Sequence, residues 1–244
     1  MMNSGSIKAW KVGQAELKNV ESALQKISKA QTQKDGSVFM FAVGDGNHSL
    51  ATAKTIWNEK KACGASLDDP ARYALVEIVN IYDEGLTFEP IHRVLFNQDA
   101  QKLINALCEK LSGNVSSVEN EKELEQKVGS SKADFGFVYS ENGTKKFALL
   151  HTPITDLAVS HLQPALDEFL KQNNAQKDDI DYIHGSDEVF RLGGKDGAVS
   201  ILLPPIAKDS FFATIATNGP LPRKSFSMGE ASEKRFYIEA RRIK

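Results

Sequence analysis

Apolar positions along the chain fall into two textures, and their alternation sets out the elements. Short runs rich in β-branched and aromatic residues predict strands at Val38–Val43, Tyr73–Tyr82, Leu86–Phe96, Ile180–Ile183 and Ala198–Leu203. Elsewhere the apolar residues recur at helical spacing. Leu17, Val20, Leu24 and Ile27 predict a helix over Glu16–Lys29. Leu157, Val159, Leu162, Leu166 and Phe169 predict another between Thr155 and Asn173, interrupted or started at Pro164. Further helices are expected from Asn47 to Lys61, Asp99 to Leu111, Glu121 to Val128 and Asp209 to Thr217. Val115–Val118 reads as a short strand. Phe135–Tyr139 and Lys145–His151 read as a hairpin about Glu141-Asn142-Gly143. Arg235–Ile243 alternates as a last strand.

This pattern predicts an α/β (α+β) fold, a mixed sheet with flanking helices. Residues 1–96 and 156–244 are expected to form the main domain, and 97–155 a small αβ insert bracing it. The 244 residues can bury a sizeable core, and a hydrophobic share of 41% with 25% charged is ordinary for a globular protein. A formal charge of −2 offers no general attraction to nucleic acid or membrane. Cys63 and Cys108 are too few for a disulfide framework, and no apolar run approaches a membrane span. A cytoplasmic protein without membrane or nucleic-acid partners is expected; the oligomeric state is left open.

Candidate chemistry concentrates where the run Val38–Val43 meets the helix beginning at Asn47. Gly44 and Gly46 permit a sharp turn and close approach to the backbone. A helix start presents unpaired N–H groups and a partial positive charge, which suit a phosphate or carboxylate. Asp45, Asn47, His48 and Ser49 crowd onto this turn, whereas a simple helix cap needs only one polar residue. Lys54 could add charge if its helical face allows.

Other candidates lie further along. His92 and Arg93 are adjacent in an extended run, so they point to opposite faces, and Arg93 is the better anion partner because its planar fork pairs bidentately. Ile180–Asp187 is a second strand-to-glycine turn, which makes His184 a candidate. Arg223, Lys224 and Ser225 sit in a basic tail, with seven Lys or Arg against three Glu from Pro220 to Lys244.

The blocks GDGNHSLATAK, FEPIHRVLF, LQPALDEFL, IDYIHG and LPRKSFSMGEASEKRFYIEARRI resemble domain-of-unknown-function family 1015. Members usually carry a long segment ahead of the first loop, which this chain is expected to lack. Strand–DG(N/H)H–helix is more distantly similar to the loop of the ParB and sulfiredoxin superfamily, whose archaeal members include a free serine kinase. That resemblance implies a ParB/sulfiredoxin-like core with Asp45, Gly46, Asn47 and His48 as a phosphate loop. Where many relatives carry Arg after the His, this chain has Ser49. Lys54, Arg93 or the Arg223–Lys224 pair is expected to replace that charge.

Two functions follow as expectations. One is a phosphotransferase acting on a small hydroxylated metabolite such as serine, with ATP or ADP and Mg²⁺. In it Asp45 and His48 would be catalytic, and Gly44, Gly46, Asn47, Ser49, Lys54, His92, Arg93, His184, Arg223, Lys224 and Ser225 would bind a phosphate-bearing small molecule. No resident metal site is expected. The other is a non-catalytic, nucleotide-responsive regulatory or binding module of ParB-like type, which needs no base.

Overall fold

The computed structural model describes Ser6 and residues 8–229. The chain divides into two compact units, one formed by residues 1–81 with 230–244 and the other by 82–229. The strand expected at Arg235–Ile243 lies outside the described residues.

In the first unit, helix α1 spans Gln14–Ala30 and α2 spans Asn47–Ala62, followed by a single 3-10 turn at Pro70–Arg72. An ion pair of 2.9 Å from Lys60 to Asp69 ties the end of α2 to that turn. The two strands expected here do not form. Val38 makes one isolated bridge to Thr32, and neither Val38–Val43 nor Tyr73–Tyr82 joins a ladder among the described residues. Their side chains face solvent, as Phe41, Val43, Leu75, Val76 and Ile78 show. β-branched and aromatic residues keep the backbone extended, but a strand exists only where a neighbour supplies the ladder.

The second unit is built on a six-stranded sheet. Its strands are β2 (His92–Phe96), β3 (Asn114–Val118), β4 (Phe135–Glu141), β5 (Thr144–His151), β6 (Ile180–Ile183) and β7 (Ala198–Leu202). They lie in the order β3-β5-β4-β7-β2-β6. Every neighbouring pair is antiparallel, not the mixture of directions that the sequence pattern implied. The α+β class itself holds. Residues 97–155 contribute β3, β4 and β5 to this sheet, with β4 paired directly to β7, so they share its core.

Helices cover both faces. Helices α3 (Ala100–Lys110) and α5 (Ala158–Gln172) bury Leu103, Ile104, Leu107, Leu162, Leu166 and Phe169 against Leu95, Phe137, Val199 and Ile201. On the other face α4 (Glu121–Gly129) and α6 (Ser186–Gly193) bury Leu124, Val128, Val189 and Phe190 against Val138, Leu149 and Leu202. The alternation of β7 therefore serves two cores at once. Local signals set the ends of these helices. The Asp99 carboxylate accepts from the Lys102 N–H at 2.7 Å, and the Asn120 side chain accepts from the Glu123 N–H at 3.0 Å.

Two predicted boundaries shift. Helix α5 runs through Pro164 instead of starting there, because the apolar stripe on both sides of the proline is fully packed. Helix α6 replaces the plain turn expected after His184; Gly185, at φ 81°, reverses the chain so that Val189 and Phe190 drop onto the sheet. A separate two-stranded ribbon pairs β1 (Phe88–Pro90) with β8 (Phe226–Met228). Phe88 stacks on Phe226 at 4.7 Å, and Phe211 of α7 (Lys208–Asn218) meets both rings edge-on at 5.3 Å. This aromatic cluster fixes the turn that carries Arg223, Lys224 and Ser225.

Candidate functional site

The start of α2 has the backbone that its glycines require. Gly46 lies in the left-handed region at φ 77°, where an added side chain would be strained. Among the described residues no side chain caps the helix. The first helical hydrogen bond runs from the Leu50 N–H to the Gly46 carbonyl, so the amides of Asn47, His48 and Ser49 make no bond among the described residues. Gly44 to Ser49 are all exposed. The Asp45 carboxylate accepts from the Gly46 N–H at 2.8 Å, which braces the turn. Lys54 is seven residues into the helix, about 10 Å along the axis from Asn47.

In the second unit Arg93 is fully buried. It stands on the face of β2 that packs against α5, beside its register partners Ile201 and Tyr182. Its Nε donates to Gln163 Oε1 at 3.0 Å and its Nη1 donates to the Ile91 carbonyl. The Gln163 amide in turn donates to Asp167 Oδ1 at 2.8 Å, which sets the amide's orientation. The Arg93 guanidinium lies 4.7 Å from the centre of the Tyr182 ring, and that of Arg223 lies 5.7 Å from the same centre. Arg93 Nη2 and the Tyr182 hydroxyl are buried with no hydrogen-bond partner among the described residues. Burial pulls the Arg93 pKa down to about 10; Tyr182 and Asp167 oppose this, and Arg223 adds to it. The group remains charged at neutral pH.

His92 takes the opposite face of β2, as adjacency required. Its Nδ1 accepts from the Leu203 N–H at 3.0 Å, which assigns the neutral Nε2–H tautomer. Burial, then Arg93 and His184, pull its pKa down to about 4. Its imidazole is therefore a neutral clamp on β7. Ser225 is buried and donates to the Pro222 carbonyl, so its hydroxyl is committed to shaping the turn. His184 and Lys224 are exposed, with Lys224 at φ 57°. A cavity of about 210 Å³, lined by Leu157, Ala158, Pro204, Asp209 and Ser225, opens beside the uncapped starts of α5 and α7.

The structure thus joins Arg93 with Arg223 and keeps Asp45, Gly46, Asn47, His48 and Ser49 together on their own turn. Gln163, Asp167 and Tyr182 were not singled out by sequence. The available signal was Gln163 itself, a polar residue between Leu162 and Leu166 on the apolar stripe. Among the described residues no three His, Cys, Asp or Glu gather to hold a metal, and no helix is long and apolar enough to cross a membrane.

The fold and these two polar centres define an α+β protein with a doubly covered antiparallel sheet. The chain matches the family model described as Protein of unknown function (DUF1015) over residues 1–169, and it belongs to that family. No curated protein matches it. Among solved structures, a free serine kinase variant in complex with AMP aligns over 90% of this chain and 81% of that one, at 17% identity and a TM-score of 0.48. A conserved hypothetical protein from Pyrococcus furiosus aligns over 88% and 84%, at 15% identity and a TM-score of 0.47. A free serine kinase variant with ADP aligns over 90% and 82%, at 15% identity and a TM-score of 0.47. At TM-scores this low the likenesses bear no weight on function.

Proposed function

We propose that the turn from Gly44 to Ser49 binds the phosphate of a nucleotide and that the protein is a phosphotransferase for a small hydroxylated metabolite, serine being the first to test. The observation that supports this is the solvent-facing trio of unbonded amides at Asn47, His48 and Ser49, behind a left-handed glycine and without a side-chain cap. Such a helix start receives anionic oxygens without any rearrangement.

Phosphoryl transfer needs positioning and charge neutralisation more than covalent chemistry. In this reading the three amides and His48 hold the terminal phosphate of ATP or ADP. The acceptor's hydroxyl oxygen bonds to phosphorus as the bridging P–O bond breaks, the shortened nucleotide leaves, and Asp45 takes the hydroxyl proton. Mg²⁺ would arrive with the nucleotide, held mainly by phosphate oxygens and water. Arg93, Arg223 and Lys224 are the cations proposed to serve a ligand.

Incubation with Mg-ATP or Mg-ADP and a panel of hydroxylated amino acids, read by mass spectrometry, is expected to yield a phosphorylated acceptor. Gly46→Ala is expected to weaken nucleotide binding about tenfold, because strain of roughly 1–2 kcal/mol would move the amides. Nucleotide binding that persists in Asp45→Asn with no product from any acceptor would replace the enzyme reading with a nucleotide-responsive module. Absence of nucleotide binding altogether would refute both.

A further inference from the structure

The first observation concerns charge. Arg93 is fully buried, and neither it nor Arg223 makes an ion pair among the described residues. Taking a guanidinium out of water costs several kcal/mol unless its charge is matched and its donors are bonded. Here the carboxylate of Asp167 offsets part of the Arg93 charge from a distance, but its hydrogen bond goes to the amide of Gln163 and not to the guanidinium. A second guanidinium, from Arg223, sits over the same Tyr182 ring. Two cations about one phenol, neither in an ion pair among the described residues, repel each other in a setting of low dielectric.

The second observation concerns unmet hydrogen bonds. Buried polar atoms in folded proteins are nearly always partnered. In this cluster two are not, Arg93 Nη2 and the Tyr182 hydroxyl. Both belong to residues paired across β2 and β6, so they arise at one place in the fold. One is a charged donor, and the other can donate or accept. The Gln163–Asp167 relay holds the Arg93 fork in position and leaves Nη2 out of the network. Arg223 is exposed on its turn and Tyr182 is half-buried, so the cluster has a side open to solvent.

From this geometry we propose that Arg93, Tyr182 and Arg223 form an oxyanion site in the second unit, which takes the carboxylate or phosphate group of a small acidic metabolite. The anion enters from the Arg223 side, settles between the two guanidinium groups, and accepts from Arg93 Nη2, Arg223 and the Tyr182 hydroxyl. Gln163 and Asp167 are positioning residues; they keep the Arg93 fork turned toward the site. The proposal deepens the reading of Arg93 and Arg223 as ligand-binding cations, and it does not depend on a nucleotide at α2. If the protein is a phosphotransferase, its acceptor carries an acidic group as well as a hydroxyl.

The test titrates the full chain by calorimetry with two separate probes, inorganic phosphate and glycolate. Phosphate also binds helix starts, so each titration is repeated on Gly46→Ala. At least one probe is expected to bind at millimolar concentration, and that binding is expected to be unchanged in Gly46→Ala. It should weaken about tenfold or more in Arg223→Gln, whose side chain is exposed and whose loss leaves the core intact, and about threefold to tenfold in Tyr182→Phe. Stronger binding of glycolate assigns a carboxylate ligand, and stronger binding of phosphate a phosphorylated one. Arg93→Met is compared by circular dichroism as well, so that a folding defect is not read as lost binding. The proposal is overturned if neither probe binds, if Arg223→Gln and Tyr182→Phe bind as the parent does, or if the only binding disappears in Gly46→Ala. Loss of nucleotide binding in Gly46→Ala with glycolate binding intact would support the two sites separately.

Discussion

A single methyl group added at Gly193 should loosen α6 from the sheet. Gly193 ends α6 and faces β4. A Cβ built there would lie 2.5 Å from the Val138 carbonyl oxygen, 2.7 Å from Val138 Cβ and 2.9 Å from Val138 Cγ1. Carbon atoms rest comfortably at about 3.5–4.0 Å, so helix and strand must separate by roughly 1 Å. The backbone carbonyl cannot rotate aside, because β4 is paired to β5 and β7 around it. Separation would also loosen Val189 and Phe190, which α6 buries against Val138 and Leu202. Overpacking of this kind costs about 1–3 kcal/mol. The better helix propensity of alanine returns at most about 1 kcal/mol, and less at a helix end. Gly193→Ala should therefore destabilise by about 1–2 kcal/mol. Gly129→Ala is the matched control: Gly129 likewise ends a helix, α4, but nothing lies within 4 Å of its added Cβ. That change should be neutral or slightly stabilising. Urea titrations followed by far-ultraviolet circular dichroism would compare midpoints, and hydrogen exchange would localise the change to α6 and β4. Equal midpoints for the two variants would refute the reasoning.

Other consequences are equally direct. Leu166→Ala, in the core between α5 and the sheet, should cost about 2–5 kcal/mol in the same titration, and a loss under 1 kcal/mol would contradict the burial. His92 is less basic folded than unfolded, so between pH 6.5 and 4 the unfolded chain binds the extra proton. Its contribution to stability is then constant above about pH 7 and is lost as the pH falls, by about 3 kcal/mol at pH 4. His92→Asn keeps an acceptor for the Leu203 N–H but cannot titrate, so the acid side of its stability profile should be flatter; an unchanged slope would remove the assignment. Asp99→Ala removes the cap of α3 and should lower stability by about 1 kcal/mol, seen as a lower thermal midpoint, whereas an unchanged midpoint would show the cap idle.

Helices α1 to α5 and α7 were legible because their apolar residues keep the helical period, and caps such as Asp99 and Asn120 mark where they begin. The Asn142-Gly143 hairpin was legible because that dipeptide tolerates left-handed backbone, which both residues adopt. The α2 turn was recognisable from Gly46 and its polar neighbours, and so was the opposition of His92 and Arg93 across a strand. Local chemistry determines such features within a few residues. What the sequence could not decide was pairing. Val38–Val43 and Tyr73–Tyr82 have every local mark of strands, yet a ladder depends on a neighbour far away in sequence, as do the direction and order of the six paired strands. The Arg93 cluster is of the same kind. Arg93, Gln163, Tyr182 and Arg223 come from four separate parts of the chain, and their charge and unmet hydrogen bonds exist only after β2, β6 and α5 have packed. Tertiary structure alone decided that a lone arginine in an apolar strand would be buried with one donor still unpaired.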